Sequence, residues 1–299
     1  MALLNPPELR ASMMGVIVLY LAHCRGQSDE RTRIVDAISP PSLSDSPRKR
    51  QLDAVHNLTS AVEIGLVNPD GDRIRLSQEG TKAARKGVSA IARLIRQRVL
   101  SEDVNTAPWG SQEGARDLTN ALAWFLTFSS IEAPARMEGD PPSVTALQEA
   151  DFGKRFGDDD ASGWPISNST RWNAFQRWAC SLGFAWRSPS GRLVPDPTPA
   201  VRDSLPAIFE SRTTLDSKSF VLAVGAQLPV LESGPYRQFV EDNWRRSSES
   251  SAALSTAMTD ALRRLEASGQ LEFKDRADAP RVSRADGSTF SHVSRGRAR

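Results

Sequence analysis

Residues 54–76 read AVHNLTSAVEIGLVNPDGDRIRL, and this stretch decides the predicted fold class. Its apolar residues recur every three or four positions up to Ile64, which is the spacing of an amphipathic helix. Gly65 follows, and glycine most readily adopts the left-handed conformation that ends a helix. Two short apolar segments then flank the turn residues Asn-Pro-Asp-Gly at 68–71, which predicts an antiparallel hairpin. A helix followed by a small hairpin is the outline of a winged helix.

The same pattern occurs twice more in the chain. In the second copy a helical pattern ends at Gly183, and two short apolar segments follow around the turn 189–191. In the third copy the helical pattern ends at Gly269 and continues into an apolar step at 271–273 and an arginine-rich ending. We therefore predict a mainly α-helical protein with small β-hairpins, built from tandem winged-helix-like units. Domains of this kind bind nucleic acids or other proteins.

The length of the chain indicates several domains. Its 299 residues are too many for one small domain and fit about two to three units of ordinary size. We place a first unit with a basic C-terminal helix at 1–100, a tryptophan-rich unit at 115–204, and a unit with a basic tail at 205–299. Residues 101–114 separate the first two, because Ser, Asn, Pro and Gly replace the apolar periodicity there. The prolines of 195–199 end the second hairpin, since they cannot join a central ladder.

The composition is that of a folded protein in a reducing compartment. Hydrophobic residues make up 39% of the chain and charged residues 25%, and the formal net charge is only +2. The total charge therefore predicts no general affinity for nucleic acid, and the local distribution of charge matters more. Cys24 and Cys180 cannot form a disulfide framework, which favours a cytoplasmic location.

An apolar run at 13–22 is the candidate for a membrane or export segment. With the following His23 and Cys24 it has the outline of a bacterial lipoprotein signal. However, His23 stands where such a signal requires a small residue, and the run is shorter than the roughly 20 residues that cross a bilayer. A buried first helix explains the same residues, so we predict no contact with a membrane.

Signatures of catalysis are missing from the sequence. It contains no glycine-rich phosphate loop, no His-Glu-x-x-His and no Cys-x-x-Cys. His23, His56 and His292 are far apart and show no ligand spacing. We therefore predict a protein that is not an enzyme and that holds no metal or other cofactor. Two alternatives remain: the carboxylates of 158–160 can bind a divalent cation, and dispersed carboxylates can converge into a nuclease site.

A basic segment between Thr81 and Leu100 is the first candidate for contact with DNA. It carries six cations and no carboxylate, while its apolar residues recur at helical spacing. Such a helix can follow a phosphate backbone, where each neutralised phosphate releases counterions. The candidate contacts are Lys82, Arg85, Lys86, Arg93 and Arg96. The alternative is a solvated linker helix.

A second candidate is the helix predicted from Asn168 onward. Arg, Asn and Gln side chains can make bidentate contacts with base edges, and a recognition helix presents its N-terminal residues to the DNA groove. The candidate contacts on this helix are Arg171, Asn173, Gln176 and Arg177. Each of them can equally be an ordinary surface residue.

The arginine-rich C-terminus is a third candidate. Arg295 and Arg297 are the proposed contacts with a phosphate backbone or a minor groove. A charged chain end can also serve solubility alone. The tryptophans of the middle unit can stack on unpaired bases, but their helical spacing and their company with Phe and Leu favour a packed core.

Four strings spread over nearly the whole chain resemble the DpdG family. They are LNPPEL at 4–9, LGFA at 182–185, LVPDPT at 193–198 and LPVLESGPYR at 228–237. Members of that family belong to bacterial gene clusters that insert 7-deazapurine bases into DNA and restrict unmodified DNA. The resemblance implies a role on the restriction side. The strings are not catalytic motifs, so they assign no chemistry to any residue.

Pattern, local charge and resemblance lead to one functional hypothesis. The protein is expected to be a non-catalytic DNA-binding or adaptor component of a multiprotein bacterial restriction system, acting in antiviral defence. Its expected partners are double-stranded DNA and the other subunits of that system. Two alternatives remain open: a protein-interaction scaffold that does not touch DNA, and a winged-helix transcriptional regulator.

Overall fold

The fold is mainly helical, with small antiparallel sheets of two or three strands. This confirms the predicted class of a mainly α-helical protein with small hairpins. The computed structural model describes residues 2–43, 46–108, 113–153, 164–245 and 253–296. Within these ranges, none of the helices combines the length and the apolar character needed to cross a membrane.

The chain consists of short helices and strands. From the N-terminus they are α1 (Ala11–His23), β1 (Ser28–Glu30), α2 (Arg31–Ile38), α3 (Pro47–Glu63), β2 (Val67–Asp70), β3 (Arg73–Leu76), α4 (Gln78–Lys86), α5 (Val88–Val99), α6 (Arg116–Phe125) and α7 (Val144–Phe152). They continue with α8 (Ser169–Ser181), β4 (Ala185–Arg187), β5 (Leu193–Pro195), α9 (Thr198–Ile208), β6 (Thr214–Asp216), α10 (Ser217–Gln227), α11 (Pro235–Glu241), α12 (Thr256–Ala267), β7 (Leu271–Lys274), β8 (Val282–Ser283), β9 (Thr289–Phe290) and β10 (His292–Arg295).

These elements form two compact units. The first comprises Met1–Leu118 and Asn168–Leu182, and the second comprises Thr119–Ser167 and Gly183–Arg299. Helix α8 therefore belongs to the first unit, whereas the β4-β5 hairpin that follows it belongs to the second. The sequence analysis grouped that helix and hairpin together. Its three-unit boundaries stay a prediction.

Helix α1 lies at the centre of the first unit. Its side chains Met14, Ile17, Val18 and Leu21 are completely buried, and the helix contacts α2, α3, α4 and α5. The apolar run at 13–22 thus lies in a packed first helix, as predicted. Beside it, an antiparallel sheet has the order β1-β3-β2.

The second unit contains several small sheets and an aromatic core. Strands β6, β10 and β7 form a sheet in that order, while β4 pairs with β5 and β8 pairs with β9. Trp124, Phe184, Phe220 and Phe290 are almost inaccessible to solvent. The indole N–H of Trp124 donates to Asp151 Oδ2 at 2.7 Å, so the polar atom of this buried ring is satisfied.

The three helix-ending glycines behave as predicted. Their φ angles are 71° at Gly65, 78° at Gly183 and 68° at Gly269. At Gly65 and Gly269 the backbone closes with the pair of reverse hydrogen bonds typical of a Schellman motif. A strand of an antiparallel pair follows each glycine. In the third copy, however, β7 pairs with the distant β10 and not with the next strand along the chain.

One local prediction was wrong, and one helix was not predicted. The helix predicted across residues 81–100 is broken at Gly87, whose φ of 93° separates α4 from α5. The proline-rich stretch after the second hairpin continues directly into α9, which the sequence analysis missed. Pro199 lies in the first turn of α9. Backbone N–H groups in a first turn have no partner within the helix, so the missing N–H of proline does not weaken α9.

Three of the six described tryptophans are core residues, as expected from their apolar company. Trp124, Trp172 and Trp178 are buried, and Trp172 stacks on Phe175 with ring centroids 5.6 Å apart. Trp186 on β4 departs from the prediction, because 44% of its surface is exposed. The apolar residues around a tryptophan in the sequence therefore do not show whether its ring is buried or faces solvent.

We expect Gly65→Ala to destabilise the protein more than Gly71→Ala. The φ angles of these glycines are 71° and 61°, so alanine is strained at either position by about 1–2 kcal/mol. At Gly71 nothing lies within 4 Å of a built Cβ, whereas at Gly65 a Cβ would overlap the Arg98 guanidinium. That guanidinium donates from Nε to the Ile64 carbonyl at 2.7 Å. Urea unfolding measures both variants, and equal midpoints would contradict the prediction.

Candidate nucleic-acid interface

The structure exposes three of the predicted DNA contacts on helix α4. They are Lys82, Arg85 and Lys86, which we call the α4 cluster. The helix begins at Ser77, whose hydroxyl oxygen accepts from the Gly80 N–H at 3.0 Å. Gly80 packs closely against the segment before the hairpin, since a Cβ there would lie 3.0 Å from the Leu66 carbonyl oxygen. These contacts hold the start of α4 in a defined position.

The position of two of these cations at the C-terminal end of α4 is favourable even without a ligand. Arg85 and Lys86 lie in the last turn, where positive charge interacts favourably with the helix dipole by about 0.3–1 kcal/mol. All three side chains of the α4 cluster are nevertheless exposed, and no carboxylate occurs between residues 80 and 101. Apart from Glu79 in the first turn of α4, a phosphate backbone therefore meets no carboxylate along this stretch of the chain.

On helix α5, one of the two predicted contacts is accessible to solvent. Arg93 is half-exposed, and its Nε lies 3.5 Å from the Ser89 carbonyl oxygen. Arg96 is 6% exposed, and its Nη1 donates to the Leu182 carbonyl oxygen at 3.0 Å. This corrects the sequence-based assignment of Arg96 to DNA contact, because its guanidinium is used inside the first unit.

Helix α8 holds two of its four predicted contacts in the interior. Arg171 is 4% exposed and its Nη1 donates to Asp117 Oδ2 at 3.0 Å, while Gln176 is 8% exposed. Arg177 Nη2 donates to a backbone carbonyl of the N-terminal segment at 2.5 Å. Asn173 is exposed. Burial excludes contact of Arg171 and Gln176 with a base in this fold, which corrects their assignment.

The buried pair of Asp117 and Arg171 ties three segments of the first unit together. The Asp117 carboxylate also accepts from the backbone N–H of Leu4 at 3.0 Å and of Leu118 at 2.7 Å. Burial raises the pKa of Asp117, while the Arg171 guanidinium and the backbone N–H groups act in the opposite direction. The role of Arg171 is thus structural, and the arginine holds α8 against the N-terminal segment and the start of α6.

The basic C-terminus is partly folded into the second unit. Arg295 lies exposed at the end of β10, while Arg297 lies outside the described residues. Arg281 pairs with Asp275 at 2.8 Å, and the guanidinium of Arg284 stacks over Phe273 at 4.3 Å. Of the predicted contacts in this region, Arg295 is thus the one that the structure places at the surface.

A further group of exposed cations was not assigned by the sequence analysis. Arg48, Lys49 and Arg50 lie in the first turn of α3, and we call them the α3 cluster. Helix α3 begins at Pro47, so these three cations belong to a helix and not to the loop before it. Proline at the first helical position was the signal that could have placed them on the helix.

The predicted absence of a metal stays a prediction. In the part of the chain that the structure describes, no group of three or more His, Cys, Asp or Glu side chains could hold a metal ion. The acidic stretch 158–160, which was the candidate cation site, lies outside that part.

Comparison with known proteins identifies a family for this chain. A family model described as DpdG-like matches residues 1–279 of the chain. No curated protein and no solved structure matches it.

Proposed function

The chain belongs to the DpdG-like family, and from this premise we propose that it is a non-catalytic DNA-binding adaptor of a bacterial DNA-restriction system. The family assignment supports the coarser part of this statement, a component of a DNA modification system. Support for the DNA-binding part comes from the exposed cations of the first unit. Each cluster contributes three positive charges on one helix.

The order of elements in the first unit supports a winged-helix interpretation. From α1 to β3 the chain runs helix, strand, helix, helix, strand, strand, and the three strands form one antiparallel sheet. In this interpretation α3 is the recognition helix, because it directly precedes the hairpin. A recognition helix presents its N-terminal residues to DNA, and the α3 cluster occupies that end of α3.

The α3 cluster is the observation that carries the proposal. The first turn of α3 contains three cations and no acidic residue. Positive charge at this end of a helix opposes the helix dipole, so the cluster costs helix stability. Bound phosphates would remove that cost, because their negative charge is favourable at a helix N-terminus. The helix thus carries these cations at an end where a bound anion would stabilise them.

We expect the purified protein to bind double-stranded DNA with an affinity that falls steeply as salt is added. If all cations of both clusters contact phosphates, log affinity plotted against log salt has a slope of about −5. Gel-shift titrations at several salt concentrations measure this slope on two duplexes of unrelated sequence. Absence of a shifted band even at about 50 mM salt would overturn the DNA-binding part of the proposal.

The competing function is a protein-interaction scaffold that does not touch DNA. One observation favours it: the first unit also carries an exposed apolar groove, which is described below. The gel-shift series separates the two functions, since a scaffold gives stable complexes with protein partners and no salt-sensitive binding to DNA.

A further inference from the structure

An apolar groove lies on the first unit, between α1 and α5. It encloses about 320 Å³, and its lining comes from three helices of that unit. Gly15 and Val16 of α1 form one wall and Val88 and Ala92 of α5 form the other, while Ser181 of α8 closes one side. The absence of a side chain at Gly15 deepens the groove, since a Cβ there would lie 3.8 Å from Ile91.

The two walls expose apolar surface that a folded domain normally buries. Val16 is 45% exposed and Val88 is 69% exposed. A second cavity of about 430 Å³ shares Val16 and Leu19 with the groove and continues toward Cys24. The apolar surface therefore follows α1 along much of its 13 residues, or roughly 20 Å at the rise of an α-helix. This elongated form matches a helix better than a small molecule.

None of the side chains that line the groove is charged. Helices α1, α5 and α8 contain no Asp or Glu at all, while Arg93 of α5 follows the wall residue Ala92. Arg85 and Lys86 lie immediately before the start of α5. Near the second cavity, Asp29 accepts from the Tyr20 hydroxyl at 2.7 Å and lies 3.8 Å from Arg73. The cations that lie nearest the groove along the chain, Arg85, Lys86 and Arg93, therefore favour a partner that carries negative charge beside its apolar surface.

We propose that this groove docks an amphipathic helix of a partner protein, with an apolar stripe flanked by acidic residues. The stripe would fill the space between α1 and α5, as apolar helix faces do in other helix-in-groove complexes. Its carboxylates would lie near Arg93 and the end of α4. The inference rests on the adaptor part of the proposed function, and its experiment measures peptide binding separately from DNA binding.

Two synthetic peptides of about 18 residues test the docking. Both carry the same leucine stripe at helical spacing, and the remaining positions are mainly Glu in one peptide and mainly Lys in the other. Fluorescence anisotropy of the labelled peptides measures their binding to the full chain. We expect the Glu peptide to bind at least about tenfold more tightly than the Lys peptide, and this preference to shrink as salt is added.

Two groove variants locate the binding site. The double variant Val16→Asp/Val88→Asp places negative charge on both walls, and Ala92→Trp fills the groove without adding charge. Each is expected to weaken the Glu peptide about tenfold or more. The matched control is Leu222→Asp, which changes an apolar side chain with 60% exposure in the second unit and should leave peptide binding unchanged.

The outcomes that overturn the inference are distinct from a failure of DNA binding. Equal binding of both peptides, equal binding by the groove variants, or no binding of the Glu peptide would each contradict it. If sedimentation shows a dimer that the groove variants dissociate, a second copy of the chain occupies the groove and the inference is wrong. Gel shifts with Ala92→Trp should match the wild-type chain, because this variant leaves both basic clusters intact.

Discussion

The triple variant Lys82→Glu/Arg85→Glu/Lys86→Glu is expected to bind double-stranded DNA at least about 100-fold more weakly than the wild-type chain. Each substitution removes one cation that can neutralise a phosphate and introduces a carboxylate that repels it. The magnitude of the salt slope should also fall by about 3, since each lost phosphate contact removes nearly one unit. Gel-shift titrations on the same duplex at several salt concentrations measure both quantities.

The matched control reverses the same amount of charge in the second unit. Arg202, Arg212 and Lys218 are exposed there, and the variant with glutamate at all three has the same net charge as the α4 variant. We expect this control to retain DNA affinity within about threefold. Equal losses in both triple variants would mean that only the total charge matters, and the α4 cluster would then not be a contact surface.

The α3 cluster can be tested in the same way. Arg48→Glu/Lys49→Glu/Arg50→Glu should weaken binding comparably, although acidic residues in the first turn favour the helix itself. The variant is therefore expected to be at least as stable as the wild-type chain, so a loss of affinity would not reflect unfolding. Unchanged affinity would remove α3 from the interface and leave α4 as the contact.

Arg171→Ala is expected to destabilise the protein by about 3–5 kcal/mol. The substitution leaves the carboxylate of Asp117 buried without its cationic partner, and that carboxylate is 3% exposed. Urea unfolding followed by circular dichroism should show a large shift of the midpoint toward lower urea. The exposed control Arg202→Ala should change the stability by no more than about 0.5 kcal/mol.

A double variant separates the ion pair from the packing of the arginine side chain. In Asp117→Asn/Arg171→Met neither side chain is ionised, so the cost of an unpaired buried charge disappears. We expect the double variant to be more stable than Arg171→Ala. If it is equally unstable, the lost packing around residue 171 accounts for the effect and the ion pair does not.

The sequence by itself determined the local structure of this protein. The helix, the terminating glycine and the following strand were predicted at Gly65, Gly183 and Gly269, and the structure contains them. Such features depend on neighbours within a few residues, because φ preferences and helical spacing are local properties. One glycine was nevertheless misjudged. Gly87 ends a helix, although the apolar periodicity on both sides of it predicted that the helix continues.

Only the tertiary structure decided which charged side chains are available to a partner. Arg171 and Asn173 stand two positions apart in one helical pattern, yet Arg171 is buried and Asn173 is exposed. The difference comes from Asp117, which is 54 residues away, just as Arg96 is held by a carbonyl 86 residues away. The groove between α1 and α5 likewise joins helices that are far apart in sequence. Burial depends on contacts between elements that are distant in sequence. The spacing of residues along one helix shows which side chains share a face, but it does not show which face packs against the rest of the protein.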